Sequence, residues 1–454
     1  MKIVLAVTIA LCVCAGLVAG ELPKAPPAPQ PDERFKADIL VIVAHPDDET
    51  EVTGYLARAI YQDHRRVAVI FGTRGDGGGN AMGFEQAAAL GAEREIEARR
   101  ALASFGVMNV WFLGGPDTPG QDVLRSLETW NHGAALAQAV RLVRLTRPEV
   151  IMTWLPLYVA GENHGDHQAA GVIATEAFDM AGDAAMFAEQ LAAPRDRQGI
   201  SNLTEGLHPW QAKKLYFFSD ASHTDFLEGK GPTYETTGMS PSGVPYYRMA
   251  ADEMSFHLTQ DDAGQAARQA IAKGDFKYFS QPVRLVMGKS HVKSNVTGDI
   301  FEGVEPGPVE FVPAPGSRAT RPSGLSMELG GPWSFYRAFW QALGIEHLAG
   351  LLSAPEVAIG PGERLHLPVS LHNGTGEAGT VALSAVLPVG WSVVAGQAVY
   401  TIGPHETYPV ETILASPAKA DPPWQAVTWK AESRGKTVAE ITMRVNLASG
   451  GLPQ

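Results

Sequence analysis

The chain has 454 residues and a formal net charge of -13, with 36 Lys and Arg against 49 Asp and Glu. Its length predicts more than one domain, because single cores seldom grow beyond about 250 to 300 residues. The acidic balance argues against a nucleic-acid or anionic-membrane partner, which would need clustered basic side chains, and favours a small-molecule or glycan substrate.

The N-terminal segment, residues 1–20, has the order of a secretory signal peptide. Lys2 precedes an apolar stretch that is too short for a stable membrane span, and small residues close the segment at Gly20. Past this segment no apolar stretch is long enough to cross a bilayer. We therefore expect an exported protein, periplasmic or extracellular, with no membrane span in the mature chain.

Both cysteines, Cys12 and Cys14, lie inside this segment. Cleavage after Gly20 would leave a mature chain without thiols, so any metal site must use histidines and carboxylates. Lipid attachment at Cys14 is disfavoured, because Val13 stands where a lipoprotein signal has a small residue.

Composition divides the remaining chain into three parts. Residues 21–36 are Pro-rich and predict an extended linker. Residues 37–335 alternate apolar runs with amphipathic ones, and from about residue 195 Gly and Pro interrupt this pattern, which predicts a loop-rich extension of the same domain. Residues 354–448 alternate apolar and polar positions with period two, which predicts a β-sandwich.

Short apolar runs in the first domain predict strands, and runs with helical periodicity separate them. The strands are Ile39 to Ala44, Val67 to Gly72, Val110 to Leu113, Val150 to Trp154 and Lys214 to Ser219; the helices include Glu85 to Phe105, Ala134 to Thr146 and Asp261 to Lys273. This alternation predicts an α/β fold: a Rossmann-like, mostly parallel sheet with helices on both faces. Ligands of such sheets bind beyond the carboxyl ends of the strands.

Two polar clusters follow predicted strands. Residues 45–49 (HPDDE) come directly after the first strand, and residues 164–167 (HGDH) follow the strand that ends at Trp154. Crowded carboxylates repel one another unless a cation or hydrogen-bond donors offset them, and imidazoles with carboxylates are the ligands of catalytic zinc. Either motif alone is more often a turn or a helix cap. Together, at strand ends of one sheet, they favour a metal site.

These motifs resemble the PIG-L/LmbE-like family of zinc-dependent N-acetylglucosaminyl deacetylases. The resemblance rests on the runs AHPDDE (residues 44–49) and HGDH, and it covers roughly residues 37 to 290. It implies that His45, Asp48 and His167 bind Zn²⁺, that Asp47 is the general base, and that His164 stabilises the oxyanion or protonates the leaving amine.

Other residues near the motifs have two interpretations each. Asp166 would either orient a ligand histidine by a hydrogen bond to its ring or cap the helix that follows the motif. Arg74 leaves a strand on the same rim and would bind a substrate hydroxyl or charge, or lie solvated in a loop. Arg94 and Glu97, one helical turn apart, predict a structural ion pair.

The chain departs from the family pattern at two places. Asp76 stands where many members have Glu. Tyr278 to Gln281 (YFSQ) stands where many bacterial relatives have His-x-Ser-Gln. The second departure concerns the substrate side of the site, not the metal ligands.

The C-terminal region, with Leu387 to Trp391 between alternating strands, resembles bacterial immunoglobulin-like modules that are often appended to carbohydrate-active enzymes. This resemblance is weaker than the first. It favours a glycan substrate.

The leading hypothesis is an exported zinc-dependent N-deacetylase acting on an N-acetylated amino sugar or glycoconjugate. One alternative keeps the metal site but hydrolyses a non-sugar amide. Another is a non-catalytic glycan-binding protein, which would need neither Asp47 nor His164. The sequence leaves open the acyl group, the oligomeric state and the native metal, because iron or manganese would accept the same ligands.

Overall fold

A computed structural model describes residues 21–27, 30–157, 164–191, 206–221, 224–260, 263–317, 319–351, 355–419 and 422–447. The predicted signal peptide lies outside these residues, so export stays a prediction. Within the described ranges, no helix is long and apolar enough to cross a membrane.

The first domain contains eight strands and seven α-helices among its described residues. The strands are β1 (Ile39–Val43), β2 (Val67–Thr73), β3 (Asn109–Gly115), β4 (Val150–Trp154), β5 (Lys214–Phe218), β6 (Thr233–Tyr234), β7 (Val283–Arg284) and β8 (Val286–Ser290). The helices are α1 (Thr50–Tyr61), α2 (Ala88–Ser104), α3 (Val123–Thr129), α4 (His132–Thr146), α5 (Gly165–Met180), α6 (Tyr246–Met254) and α7 (Ala263–Lys273).

Six of these strands form one sheet in the order β3-β2-β1-β4-β5-β8. The first five are parallel, and β8 pairs antiparallel with β5. Every side chain of β1 and β4 is buried. Because successive side chains of a strand point to opposite faces, both faces of the sheet are covered. The predicted mostly parallel α/β fold is confirmed.

The strand order places a crevice between β1 and β4. The chain runs outward from β1 to β2 and β3, and then returns to place β4 on the other side of β1. The connections on the two sides of this point diverge, which opens a ligand site beyond the carboxyl ends of β1 and β4.

The C-terminal part forms two sheets. Its elements are β9 (Leu325–Leu329), α8 (Pro332–Leu343), β10 (Glu356–Ile359), β11 (Arg364–Asn373), β12 (Gly379–Val386), β13 (Ser392–Ala395), β14 (Ala398–Ile402), β15 (Thr407–Ala415), β16 (Trp424–Ser433) and β17 (Lys436–Leu447). The sheets have the orders β10-β17-β16-β12-β14 and β13-β15-β11-β9. Inward residues such as Leu367, Leu383 and Trp429 share one buried core. The predicted β-sandwich is confirmed, and its immunoglobulin-like character stays a prediction.

Two segments join the C-terminal sheets from outside the predicted range. Strand β9 begins before residue 354 and pairs antiparallel with β11. Residues 21–27, predicted as part of a free linker, pair with the edge strand β14: the Ala25 N–H donates to the Val399 carbonyl, and the Val399 N–H donates to the Pro23 carbonyl. An edge strand has unpaired backbone groups, and this segment satisfies some of them.

Candidate metal centre

The two motifs meet at the crevice between β1 and β4. The strands are parallel and in register, with Ile39 opposite Val150, so their carboxyl ends lie side by side. His45 and Asp48 follow β1, and His167 lies in the first turn of α5, which follows β4. One potential ligand atom from each of these three residues lies within 4.8 Å of the others. We call them the ligand cluster.

Asp48 presents a single free oxygen to the cluster. Its Oδ2 accepts hydrogen bonds from the backbone N–H groups of Ala44 and His45, at 2.8 and 2.9 Å, and from the indole Nε1 of Trp154 at 2.6 Å. Its Oδ1 lies 3.3 Å from His167 Nε2. Burial raises the pKa of Asp48, but the imidazoles of His167 and His45 outweigh it and hold the pKa well below its usual range. Oδ1 is therefore an ionised oxygen facing the histidines.

A further carboxylate lies close to a ring nitrogen of each histidine in the ligand cluster. Asp166 Oδ2 lies 3.3 Å from His45 Nε2, and Asp220 Oδ2 lies 3.2 Å from His167 Nδ1. Such carboxylates fix the tautomer and orientation of ligand histidines. The contact of Asp166 is the one expected of an orienting residue. Asp220 was not predicted, although it follows β5 in the same way that the motifs follow β1 and β4.

The electrostatics of the cluster favour a cation. Burial lowers the pKa of His167, but the charge of Asp48 and hydrogen bonding to Asp220 and Asp48 outweigh it and raise the pKa to about 9. The pKa of His45 is also raised well above its ordinary value, because Asp166 and Asp48 outweigh its burial. A negative potential that holds protons on buried imidazoles also attracts a divalent ion to their nitrogens. The donor set therefore fits a metal ion.

His164 is the N-cap residue of α5 and lines the cleft. Its Nδ1 accepts a hydrogen bond from the backbone N–H of Asp166 at 3.3 Å, so His164, not Asp166, caps the helix. Burial and the charge of His45 lower the pKa of His164. In a neutral ring with an accepting Nδ1, the proton resides on Nε2.

Asp47 lies beside the ligand cluster in an unusual backbone conformation. Its φ is 96°, in the region that favours glycine. Its backbone N–H donates to Glu49 Oε2 at 2.9 Å. Burial and the charge of Asp48 raise the pKa of Asp47 to about 7.

The cleft has a volume of about 690 Å³. Its lining contains the predicted metal-binding and catalytic residues together with residues from distant segments of the chain. The lining includes His45, Asp47, Asp48, Glu51, Gly77, Gly78, Arg94, Asp117, Thr118, Trp154, His164, His167, Asp220, Met254 and Gln260. The structure therefore brings together all the residues predicted for metal binding and catalysis.

Arg74 is the exception among the predicted site residues. Its Nε donates to Glu95 Oε2 at 2.7 Å, and about half of its side chain is exposed. Arg74 is not among the residues that line the cleft, so its substrate-binding role stays a prediction that the geometry does not favour. Arg94, in α2, lines the cleft instead.

Arg94 and Glu97 also differ from the prediction. Both side chains are buried, and the described residues show no ion pair between them. Each side chain bonds Thr259 instead. Arg94 donates to the Thr259 carbonyl, and Glu97 accepts from the Thr259 N–H and hydroxyl. The partner of each residue is thus a segment more than 160 positions away.

That segment is His257-Leu258-Thr259-Gln260, which sequence reasoning missed. Gln260 Nε2 donates to the carbonyl of Pro46 at 2.5 Å, inside the first motif. The run resembles the His-x-Ser-Gln pattern with Thr in place of Ser, and it contacts the first motif, so we assign the pattern to these residues rather than to Tyr278 to Gln281. A search that allowed either hydroxyl residue would have found it.

The fold and cluster define a Rossmann-like α/β protein with a His-Asp-His site suited to a metal ion. Residues 40–178 match the PIG-L family, described as GlcNAc-PI de-N-acetylase. The chain therefore carries a PIG-L family domain at these residues.

Two relatives of this chain are each named 1D-myo-inositol 2-acetamido-2-deoxy-alpha-D-glucopyranoside deacetylase. The protein of Geodermatophilus obscurus is 33% identical over 162 residues, which are 32% of this chain and 54% of that protein. The protein of Thermobifida fusca is 28% identical over 256 residues, which are 52% of this chain and 87% of that protein. The chain thus spans about half the length of the first relative.

Among solved structures, the N,N'-diacetylchitobiose deacetylase of Pyrococcus horikoshii aligns with a TM-score of 0.38 and 16% identity. The alignment covers 60% of this chain and 87% of that one.

Proposed function

We propose that this protein is an exported, zinc-dependent hydrolase that removes an acetyl group from the amide nitrogen of an N-acetylated amino sugar or glycoconjugate. The observation that carries the proposal is the ligand cluster in the cleft, where Asp48 Oδ1 faces two imidazoles and Asp47 and His164 lie alongside. The deacetylase names of the relatives of the PIG-L domain support the same reaction.

Zinc fits the donor set. Two imidazole nitrogens and one carboxylate oxygen are ligands of catalytic zinc sites, which keep a further position open. Three N–H donors already occupy Asp48 Oδ2, so Asp48 would be a one-oxygen ligand. When bound, zinc supplies a Lewis acid that polarises a carbonyl and lowers the pKa of water.

The residues beside the ligand cluster would move the protons. Asp47 would accept a proton from the attacking water, as a carboxylate next to the cluster on the cleft wall. The Nε2–H of His164 would donate to the oxyanion or to the leaving amine. The half-buried position of His164 at the helix terminus, with Nδ1 held by the backbone, keeps this ring oriented.

The cleft suits a neutral, hydroxyl-rich ligand. Its volume of about 690 Å³ lies within the range typical of small-molecule sites. Several carboxylates line it, including Asp117 and Asp220, and these can accept hydrogen bonds from sugar hydroxyls while repelling anions. We therefore propose an acetylated amino sugar rather than an acidic substrate.

Metal content and acetate release from the same preparations test this proposal. The full-length protein is purified without chelators, and acetate is measured with N-acetylglucosamine, its inositol glycoside and N-acetylated non-sugar amines. We expect one zinc per chain and release from the sugars. Asp47→Asn should keep the metal and lose about 100-fold or more in turnover, and His167→Ala should lose both.

Asp252→Asn serves as the control, because Asp252 pairs with Arg248 on the surface of α6. A wild-type protein without any transition metal would refute the site and favour a glycan-binding protein. Metal without acetate release would keep the site and refute the acyl group or the sugar.

Export is a second part of the proposal, supported by the charged, apolar and small-residue order of residues 1–20. N-terminal sequencing of protein recovered from the periplasm or medium should begin at Glu21. Recovery of the uncleaved chain only in the cytoplasm would contradict export.

A further inference from the structure

Three ionisable side chains near Asp47 contact one another, and none of them lines the cleft. Glu49, Glu253 and His257 are each fully buried, with 0% of the residue exposed. His257 Nε2 lies 3.2 Å from Glu253 Oε1 and 3.3 Å from Glu49 Oε1. Glu49 precedes α1, Glu253 lies in α6, and these two helices pack together. One imidazole nitrogen thus joins two buried carboxylates.

The second oxygen of Glu49 holds the backbone of Asp47. The Asp47 N–H donates to Glu49 Oε2 at 2.9 Å, and Asp47 has a φ of 96°. A non-glycine residue in this region is strained, and it persists only where its surroundings enforce the conformation. The hydrogen bond to a buried, anchored carboxylate is such a constraint.

We propose that Glu49 is a positioning residue: anchored by His257 and Glu253, it fixes the strained Asp47 peptide and so directs the Asp47 carboxylate into the cleft. The inference rests on the proposed role of Asp47 as general base. Relaxation of φ to a negative value would rotate the Cα–Cβ bond of Asp47 relative to the neighbouring peptides. A displacement of about 1 Å at a catalytic group can cost about 100-fold in rate.

The same three residues lie close enough to hold a cation themselves. Their position favours the anchor instead. None of the three residues lines the cleft, so an ion would have no open position there for water or substrate.

The test compares Glu49→Ala with Glu49→Gln, since the Gln side-chain carbonyl can still accept from the Asp47 N–H. Turnover, KM and zinc affinity are measured, together with hydrogen exchange of the backbone amides of residues 44–50. We expect Glu49→Ala to lower kcat by about 30-fold or more, with KM and zinc affinity within about threefold of wild type. Exchange at Asp47 should accelerate at least tenfold. Glu49→Gln should restore most of the rate and the protection.

Glu149→Gln is the matched control, because Glu149 is a buried glutamate that pairs with Lys213 at the opposite end of β4. It should lower stability without changing exchange at Asp47. If Glu49→Ala does not fold, Glu253→Ala is used instead, because it removes the carboxylate that holds His257 against Glu49. It should also accelerate hydrogen exchange at Asp47.

Three results would each overturn the positioning role of Glu49. They are equal losses of kcat in Glu49→Ala and Glu49→Gln, a loss of zinc affinity that parallels the loss of kcat, and a second equivalent of metal in the wild type. The exchange readout does not depend on turnover. If the wild type is inactive but Glu49→Ala still accelerates hydrogen exchange at Asp47, the proposed reaction is refuted and the positioning role of Glu49 is kept. If the wild type is active but the Glu49 variants leave exchange at Asp47 unchanged, only the positioning role is refuted.

Discussion

The indole of Trp154 contacts both His167 and the carboxylate of Asp48. Its ring stacks on the His167 imidazole, with centroids 4.3 Å apart and planes 7° from parallel. Its Nε1 donates to Asp48 Oδ2 at 2.6 Å. Trp154 is the last residue of β4, so the rigid sheet orients two members of the ligand cluster through one side chain.

Trp154→Phe is expected to weaken metal binding while the fold is retained. Phenylalanine keeps an aromatic ring against His167 but removes one of the three donors to Asp48 Oδ2. Loss of such a supporting bond typically lowers metal affinity by about 10-fold or more. Competition with a chelator of known affinity measures the change.

The control for that variant is Trp429→Phe in the C-terminal core. Trp429 is equally buried, and among the described residues its Nε1 has no hydrogen-bond partner. Equal zinc affinities in wild type and Trp154→Phe would show that the indole bond does not orient Asp48.

Asp220→Asn should lower zinc affinity by about 10- to 100-fold, because Asp220 faces Nδ1 of His167 and a neutral amide stabilises the ligand tautomer less well. The measurement is the dissociation constant from metal titration. Asp179→Asn, which affects a partly buried carboxylate paired with Lys289 at a distance from the motifs, provides the comparison. Comparable losses in both variants would remove Asp220 from the metal site.

Chelation should lower the thermal midpoint of wild type and leave that of His167→Ala unchanged. A ligand that binds only the folded state stabilises it, by about 2.7 kcal/mol at a free concentration 100 times its dissociation constant. Scanning calorimetry with and without added zinc measures both proteins. A zinc-dependent shift that persists in His167→Ala would place the ion elsewhere in the chain.

Arg74 and Arg94 should differ in their effects. Arg74→Ala removes a half-exposed side chain paired with Glu95 and should change kcat and KM by no more than about twofold. Arg94→Ala leaves the carbonyls of Gly75, Gly79 and Thr259 without this donor and should destabilise the fold by about 3 kcal/mol. Urea unfolding and steady-state kinetics separate the two outcomes, and a large KM increase in Arg74→Ala would support the predicted substrate-binding role of Arg74.

Glu328 gives the C-terminal sheets a pH-dependent stability. Burial raises its pKa, but hydrogen bonding to His372 and the charges of His372 and Arg337 outweigh burial and lower it. A carboxyl whose pKa is lower in the folded state stabilises the fold above its unfolded pKa, and this contribution is lost as the pH falls. Glu328→Gln should therefore cost about 1 to 2 kcal/mol near pH 7 and much less near pH 3. A difference that does not change with pH would contradict this role.

The sequence alone determined the sheet and the position of the site within it. The buried runs of β1 and β4 are continuous and apolar because both faces of a parallel sheet are covered, so their pattern is local and readable. The rule that ligands bind beyond the carboxyl ends of such strands then predicted that residues 45–49 and 164–167 lie close together. The choice of His45, Asp48 and His167 among them came from the resemblance to the PIG-L/LmbE-like family. The roles of these residues in metal binding stay predictions.

Only the tertiary structure decided which side chains support these residues. The contacts of Asp220 with His167, of Gln260 with Pro46 and of Glu49 with His257 join segments that are 53 to 214 positions apart in the sequence. The pairing of Arg74 with Glu95 and the pairing of residues 23–25 with β14 are similar cases. Local periodicity carries no information about such contacts, because each depends on how loops and helices pack after the sheet has formed.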